Sequence, residues 1–488
     1  MSSLIETPQS HYINGAWQAA SRHFDVLNPL DDSLVTRAAA GTRAEAEAAI
    51  EAADRAFPAW AALAPGARQA LFLKAAEITE RRHDEIVHLL AIEAGTARAF
   101  ASFQVRLSAN LMRQAASWGY LPCGDLLRSD TPGRMAMVQR KPLGVVAGFT
   151  PWNGAFFLAW RTILLPMAFG NTVVIKPSEL APVTAGLLQA EILHEAGFPP
   201  GTLNVVTHAP GEAEGIADAF FAARAVRSIN FTGSDRTARI LGARAGQALK
   251  RMVLELGGYN PMLVLEDADL DHAAQAVNFG AFFHQGQICM NTRKVYVARA
   301  VHDAFVAKLA ERTRALKAGN PLEPGVVVGP LISDGAVAQT KARIAEALEK
   351  GATLVTGGTC EGRIHAPTIL THVPEDALAT QGCDETFGPL LVIEAFDDVE
   401  AALQKAQDTP YGLSAAIMTG NAGKGLELAS RFDTGIVHVN GATMAGEASL
   451  PNGGVKDSGW GRSGHYAVED FTEIRLATVT HGPGMYPF

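Results

Sequence analysis

Val145-Val146-Ala147-Gly148-Phe149 is a short apolar run that breaks at Thr150-Pro151-Trp152-Asn153 and gives way to a helix-length segment near 155–168. The same alternation returns at Thr172-Val173-Val174-Ile175, Leu203-Asn204-Val205-Val206, Ser228-Ile229-Asn230-Phe231 and Arg251-Met252-Val253-Leu254, with candidate helices near 182–195, 211–222 and 235–247. Short β-branched runs separated by helical segments spell βα units, so they predict an α/β fold with a parallel sheet. Such sheets bind ligands beyond the carboxyl ends of their strands, where loops meet helix N-termini. The loops Thr150–Asn153, Lys176–Glu179 and Thr232–Ser234 are therefore the places to look for a site.

Upstream of this block the chain is rich in Ala and in helical period. Thr42-Arg43-Ala44-Glu45 has the spacing of a capping box, after which Ile50, Ala53 and Phe57 share a face. Further helices are expected from Pro65, with Leu71, Ala75 and Ile78 inward, and over Asp84 to Gly95. Downstream of Glu255 a second α/β region is expected. Its helices fall near 269–284, 301–318 and 334–350, and its apolar runs near 294–298, 390–394 and 434–439. The boundary between the regions is placed shortly after Gly258, and the segments 124–142 and 471–488 read as two extended arms.

Composition excludes several classes. With 488 residues, 48% apolar and 19% charged, the chain is globular and long enough for two or three domains. A net charge of −9 leaves no basic stripe for a phosphate backbone, so nucleic acid is not expected as a partner. Cys123, Cys289, Cys360 and Cys383 form neither a disulfide framework nor a CxxC pair, which fits reduced thiols in the cytoplasm and no metal site. The start MSSLIETPQSHY lacks a secretory pattern, and the apolar region Leu143 to Ile175 is cut by Arg161, Pro151 and Pro166, so no membrane span is expected. Gly459-Trp460-Gly461-Arg462-Ser463-Gly464 spells GxGxxG, but Lys456-Asp457-Ser458 precedes it near the chain end, so it reads as a glycine-rich loop. Asn230-Phe231-Thr232 matches a glycosylation acceptor without any sign of secretion.

Three residues carry candidate chemistry. Cys289 stands in Gln285-Gly286-Gln287-Ile288-Cys289-Met290; a lone Cys is usually a small core residue, yet Gly and Gln beside it suit a loop that exposes the sulfur. Glu255 closes a buried strand before Gly257-Gly258, where a carboxylate is either a general base with a raised pKa or half of a salt bridge. Asn153 follows the first parallel strand and is either an oxyanion donor or a helix N-cap.

The ordered set PWN (151–153), KPSE (176–179), FTGS (231–234), ELGG (255–258), GQIC (286–289), ETFGP (385–389) and PNGGVKDSGWGR (451–462) resembles the NAD(P)-dependent aldehyde dehydrogenase superfamily over nearly the whole chain. The resemblance implies a Rossmann-like cofactor domain (1–123 and 143–257), an α/β catalytic domain (258–455) and a small β oligomerisation arm (124–142 and 471–488). It implies Cys289 as nucleophile, Asn153 and the Cys289 N–H as oxyanion donors, and Glu255 as the base for thioester hydrolysis. A glutamate at 255 favours hydrolysis over transfer of the acyl group to coenzyme A. For the cofactor it implies Lys176 and Glu179 at the adenine ribose, with NAD preferred and NADP possible because a carboxylate repels a 2′-phosphate. It further implies Ser234 at the pyrophosphate, Glu385 and Phe387 at the nicotinamide end, and Thr150, Trp152, Ser178, Gly233, Leu256 and Gly257 as neighbours.

Three positions depart from the family pattern: Ala238, Asn452 and Ser463, the last leaving no glutamate for a proton relay. Substrate contacts are expected from Phe157, Trp160, Arg161, Ile288 and Met290, with Phe156, His284 and Thr443 to Leu450 nearby. Aromatic and thioether side chains favour a flat apolar substrate. The blocks GQICMNTRKVYV, VHVNGATMAGEA and SGWGR with EDFTEIR look like the salicylaldehyde, vanillin and benzaldehyde dehydrogenase branch, implying an aromatic aldehyde substrate. The family implies a homodimer or homotetramer. The alternatives are a coenzyme A-acylating enzyme and a catalytically silent protein on the same fold.

Overall fold

A computed structural model describes residues 9–374, 377–378, 385–444, 446–482 and 488. Cys383, Ala445 and the arm residues 483–487 lie outside the described residues.

The predicted βα units build an eight-stranded sheet. Its five parallel strands run in the spatial order Leu203–Val205, Thr172–Pro177, Val145–Thr150, Val226–Thr232 and Arg251–Glu255. Every residue of Val145–Thr150 and Thr172–Pro177 is buried, as a sheet covered by helices on both faces requires. Strand order reverses beside Val145–Thr150, whose neighbours are Thr172–Pro177 and Val226–Thr232, so a crevice opens there at the carboxyl edge. A second sheet of seven strands holds Met262–Val264, Lys294–Ala298, Leu390–Phe396, Ser414–Met418 and Ile436–Val439 in parallel.

The expected helices form as Arg43–Ala61, Pro65–Arg81, His83–Ala94 and Ala155–Ala168, and the Thr42 capping box makes both of its bonds. Two features went unread. The N-terminal region contains the antiparallel strands His11–Ile13, Ala16–Gln18, His23–Leu27 and Leu34–Ala39, all too short to show a period. The Arg98–Trp118 helix, which packs on Pro65–Arg81 and Ala155–Ala168, was not assigned.

The GxGxxG segment is not a phosphate loop. Gly459–Trp460 forms a two-residue strand on the edge of the first sheet, antiparallel to Leu254 and Glu255. A Cβ at Gly459 would sit 2.1 Å from the Leu254 carbonyl oxygen, and its φ is +99°, so glycine is required by close strand approach. The two arms meet: Thr472–Thr480 pairs antiparallel with Arg134–Pro142, which pairs with Gly124–Leu127. Among the described residues, no helix is long and apolar enough to cross a membrane, and no cluster of three His, Cys, Asp or Glu could hold a metal.

Candidate active site

Asn153 follows the strand Val145–Thr150, at the crevice where strand order reverses. It is buried, and it does not cap the helix Ala155–Ala168, whose N-cap is Gly154. Its Nδ2 instead donates to the Gln287 carbonyl at 2.9 Å, which turns the amide toward the cysteine loop and leaves a second N–H to spend.

That loop is tightly wound. After the helix Leu270–Phe282, three successive residues take left-handed backbone: His284 (φ 53°), Gln285 (φ 55°) and Gly286 (φ 71°). A Cβ at Gly286 would lie 2.2 Å from the Gly388 carbonyl oxygen, so the loop closes against ETFGP only with glycine there. Left-handed non-glycine residues cost on the order of 1–3 kcal/mol each and persist only where surroundings over-determine them. Here Arg293 donates to the carbonyls of Gly286 (2.8 Å) and Ile288 (3.0 Å), Asn291 Oδ1 accepts the Ile288 N–H (2.6 Å), and Asn260 Nδ2 donates to the Cys289 carbonyl (2.6 Å). The result is a partly exposed, free Cys289 thiol.

Glu255, at the end of the strand Arg251–Glu255, is 7% exposed and accepts a hydrogen bond from Arg161. Of the two sequence alternatives, the ion pair is observed directly. Burial raises the Glu255 pKa above the ordinary carboxylate value, and the Arg161 guanidinium opposes that rise. Arg161 also donates to the Asn452 carbonyl at 3.3 Å. Ser463, where the family pattern has glutamate, accepts the Asn452 N–H and donates to the Leu450 carbonyl, each at 2.9 Å. The hydroxyl staples a turn. Ala238 is buried in the core beside Leu241 and Ala245.

Cys289, Asn153, Glu255 and Arg161 line one cavity of about 90 Å³. The rest of its lining is mostly apolar, with Phe100, Phe103, Phe157, Ile288, Met290 and Met444, alongside Gln104, Glu447, Asn452 and Ser463. Burial pushes the Cys289 thiol up to about 12, with Glu385 and Glu255 adding to the rise. Burial thus disfavours the thiolate, and the Arg161 and Arg293 guanidiniums oppose that effect.

Trp160 corrects the expected substrate wall. It is 0% exposed and packs edge-to-face on Phe156 in the core, because helical period turns positions 156 and 160 inward while 157 and 161 face the cavity. His284 stacks on Phe100 with ring centroids 4.6 Å apart and does not line the cavity.

The predicted cofactor residues cluster at the carboxyl edge of the first sheet. Lys176 is buried, and its ammonium donates to His208 Nε2 at 2.6 Å. The His208 Nδ1–H donates to the Ala209 carbonyl at 2.9 Å, which leaves Nε2 as the acceptor. Burial lowers Lys176 to about 8, with Glu179 opposing. Glu179 is partly exposed and 3.7 Å from His208. Thr150 Oγ1 is spent on the Ala185 carbonyl (2.7 Å), the Ser178 N–H donates to the Thr150 carbonyl (2.9 Å), and the Leu256 side chain lies in the core. Ser234 caps the helix Asp235–Ala248, whose positive end is open to solvent beside Gly233.

On the other side of the cleft Glu385 accepts from Arg293 at 3.1 Å, and burial raises its pKa to about 7. Phe387 meets Trp152 edge-to-face at 5.6 Å. A Cβ at Gly257 would lie 2.6 Å from Glu385 Oε2, so a bare backbone faces this carboxylate. A buried ammonium, an open helix N-terminus and a carboxylate above a glycine backbone suit a dinucleotide with ribose hydroxyls and a pyrophosphate.

His208, Arg293 and the Arg98–Trp118 cavity wall escaped the sequence reading. His208 had one usable signal, since it follows the third parallel strand at the same carboxyl edge.

The aldehyde dehydrogenase family model matches residues 17–477. Vanillin dehydrogenase of Pseudomonas fluorescens is 46% identical over 467 residues, covering 96% of both chains. Benzaldehyde dehydrogenase [NAD(+)] of Pseudomonas putida is 36% identical, covering 95% of this chain and 94% of that one. The crystal structure of a salicylaldehyde dehydrogenase from Pseudomonas putida G7, complexed with salicylaldehyde, superposes with a TM-score of 0.96 at 36% identity, covering 99% of this chain and all of that one. With these matches spanning nearly every residue of the site, the chain belongs to the aldehyde dehydrogenase family and is an oxidoreductase that acts on aldehydes with NAD(P).

Proposed function

We propose that this enzyme oxidises an aromatic aldehyde to the carboxylic acid through a covalent adduct on Cys289. One observation carries the reading: Cys289, Asn153 and Glu255 open onto the same cavity, whose lining is otherwise rich in phenylalanine, leucine and methionine. Such a wall suits a flat apolar ring. The relatives named for vanillin, benzaldehyde and salicylaldehyde support it.

Cys289 sulfur adds to the carbonyl carbon, and the free N–H of the Asn153 amide, with the Cys289 backbone N–H, steadies the oxygen of the tetrahedral adduct. When bound, a nicotinamide dinucleotide would supply a positive charge and the hydride acceptor. Loss of hydride leaves a thioester on Cys289. Glu255 takes a proton from the water that attacks it, releasing the acid and restoring the thiol; the Arg161 guanidinium favours the ionised form of that carboxylate. Lys176, Glu179, Gly233, Ser234, Glu385 and Phe387 hold the dinucleotide. The Glu179 carboxylate favours NAD by repelling a 2′-phosphate.

We assign the cofactor to 1–123 with 143–257, and the nucleophile to 258–455. The arm of 124–142 with 471–488 pairs subunits in a homodimer or homotetramer. Leu126, Ile474 and Leu476 of that arm are 74%, 63% and 62% exposed, more apolar surface than an isolated sheet leaves in water. Light scattering reads the oligomer, and a monomer contradicts it. The cytoplasm keeps the thiols reduced.

The decisive assay compares benzaldehyde-type with short aliphatic aldehydes by NADH formation, with product analysis in the presence of coenzyme A. Preference for the aromatic series and a free acid product are expected. An aliphatic preference, or an acyl-coenzyme A product, overturns the reading.

A further inference from the structure

The lining of the cavity beside Cys289 includes one side chain with a fully buried nitrogen that has no partner. Gln104, on the helix Arg98–Trp118, is 1% exposed and lines the cavity together with Phe100, Phe103 and Leu107 of the same helix. Its Oε1 accepts the Phe157 N–H at 3.3 Å. Its Nε2 finds no acceptor, and among the described residues no other cavity-lining side chain is both buried and short of a partner.

The orientation of this amide is fixed by its neighbour. Phe157 stands in the first turn of the helix Ala155–Ala168, where backbone N–H groups have no intrahelical acceptor, and the N-cap Gly154 has no side chain to offer. Turning the amide over would set its NH₂ against that N–H and lose the only bond, so the donor stays on Nε2. An amide donor held in an apolar cavity is costly unless something entering the cavity accepts from it.

We propose that Gln104 Nε2 is a specificity determinant that donates a hydrogen bond to an oxygen substituent, a hydroxyl or alkoxyl, on the ring of the aldehyde. The assignment rests on the aromatic reading given above. The carbonyl oxygen is already served by Asn153, so the Gln104 donor is left for a second oxygen. The group is neutral, and the one cation in the cavity, Arg161, is paired with Glu255. A substituent that is polar but uncharged is therefore the match, rather than a carboxylate.

The test uses shape-matched pairs, methoxybenzaldehyde against ethylbenzaldehyde, with the group at each ring position in turn. These pairs differ only in the oxygen. At one position the wild-type enzyme should favour the methoxy compound by on the order of 10- to 100-fold in kcat/KM, carried by KM. Gln104→Met keeps the length and removes the donor; it should abolish that preference, bringing the methoxy-to-ethyl ratio in kcat/KM to about 1. A purely structural role for Gln104 would slow every substrate alike and leave the ratio standing, which overturns the proposal. Equal rates for both members of every pair in the wild-type enzyme overturn it without any variant. Failure to turn over any benzaldehyde removes the aromatic reading as well.

Discussion

Replacing Arg161 by Met tests whether the buried ion pair governs deacylation. The side chains of Arg161 and Glu255 are 13% and 8% exposed, so the guanidinium supplies most of what offsets the buried charge of the carboxylate. Leaving an ionised carboxylate unpaired at such a site costs about 3–5 kcal/mol. Glu255 avoids that cost by protonating, since burial already raises its pKa and Arg161 is the main opposing influence. A protonated Glu255 is no base, so kcat at neutral pH should fall on the order of 10²-fold, the lower end of what a general base contributes. Raising the pH re-ionises it, so activity should recover toward alkaline pH and the acid limb of the kcat profile should move upward. Stability should shift in the opposite sense. A carboxyl group with a raised folded pKa adds stability below the ordinary carboxylate range and loses it as pH rises through the folded pKa. The variant should therefore lose more Tm, relative to wild type, at pH 9 than at pH 5. A stopped-flow NADH burst followed by slow turnover locates the defect after hydride loss. A pH-independent fall, or an unmoved acid limb, would refute the role given to Arg161.

The other functional residues make separate predictions. Asn153→Ala removes an oxyanion donor and should lower kcat/KM by about 10²–10³-fold, with aldehyde KM little changed; a change confined to KM contradicts the assignment. Glu179→Gln removes the charge facing a 2′-phosphate, so kcat/KM should rise for NADP and fall for NAD, on the order of tenfold in ratio. An unchanged ratio places the ribose elsewhere.

Where the sequence was legible, the reason was periodicity or a motif fixed by chemistry. The five parallel strands show as apolar runs alternating with helix-length segments, and the motif loops fall at their carboxyl ends because backbone and glycine geometry require it. The three-residue strands at His11–Ile13 and Ala16–Gln18 carry no such pattern. Trp160 was misplaced because Phe156, Phe157, Trp160 and Arg161 are equally bulky in sequence, and only helix packing separates 156 and 160 from 157 and 161. Gln104 and His208 went unseen because their meaning comes from partners 53 and 32 residues away. The Arg161–Glu255 pair spans 94 residues, so no local pattern joins its two members.

The central claim is a thioester on Cys289, formed by hydride loss and cleared by Glu255. The most direct measurement is the mass of the Glu255→Gln protein after mixing with benzaldehyde and NAD. The account predicts one equivalent of NADH and one added benzoyl group, located on the peptide that carries Cys289. An unmodified Cys289 alongside stoichiometric NADH would contradict it.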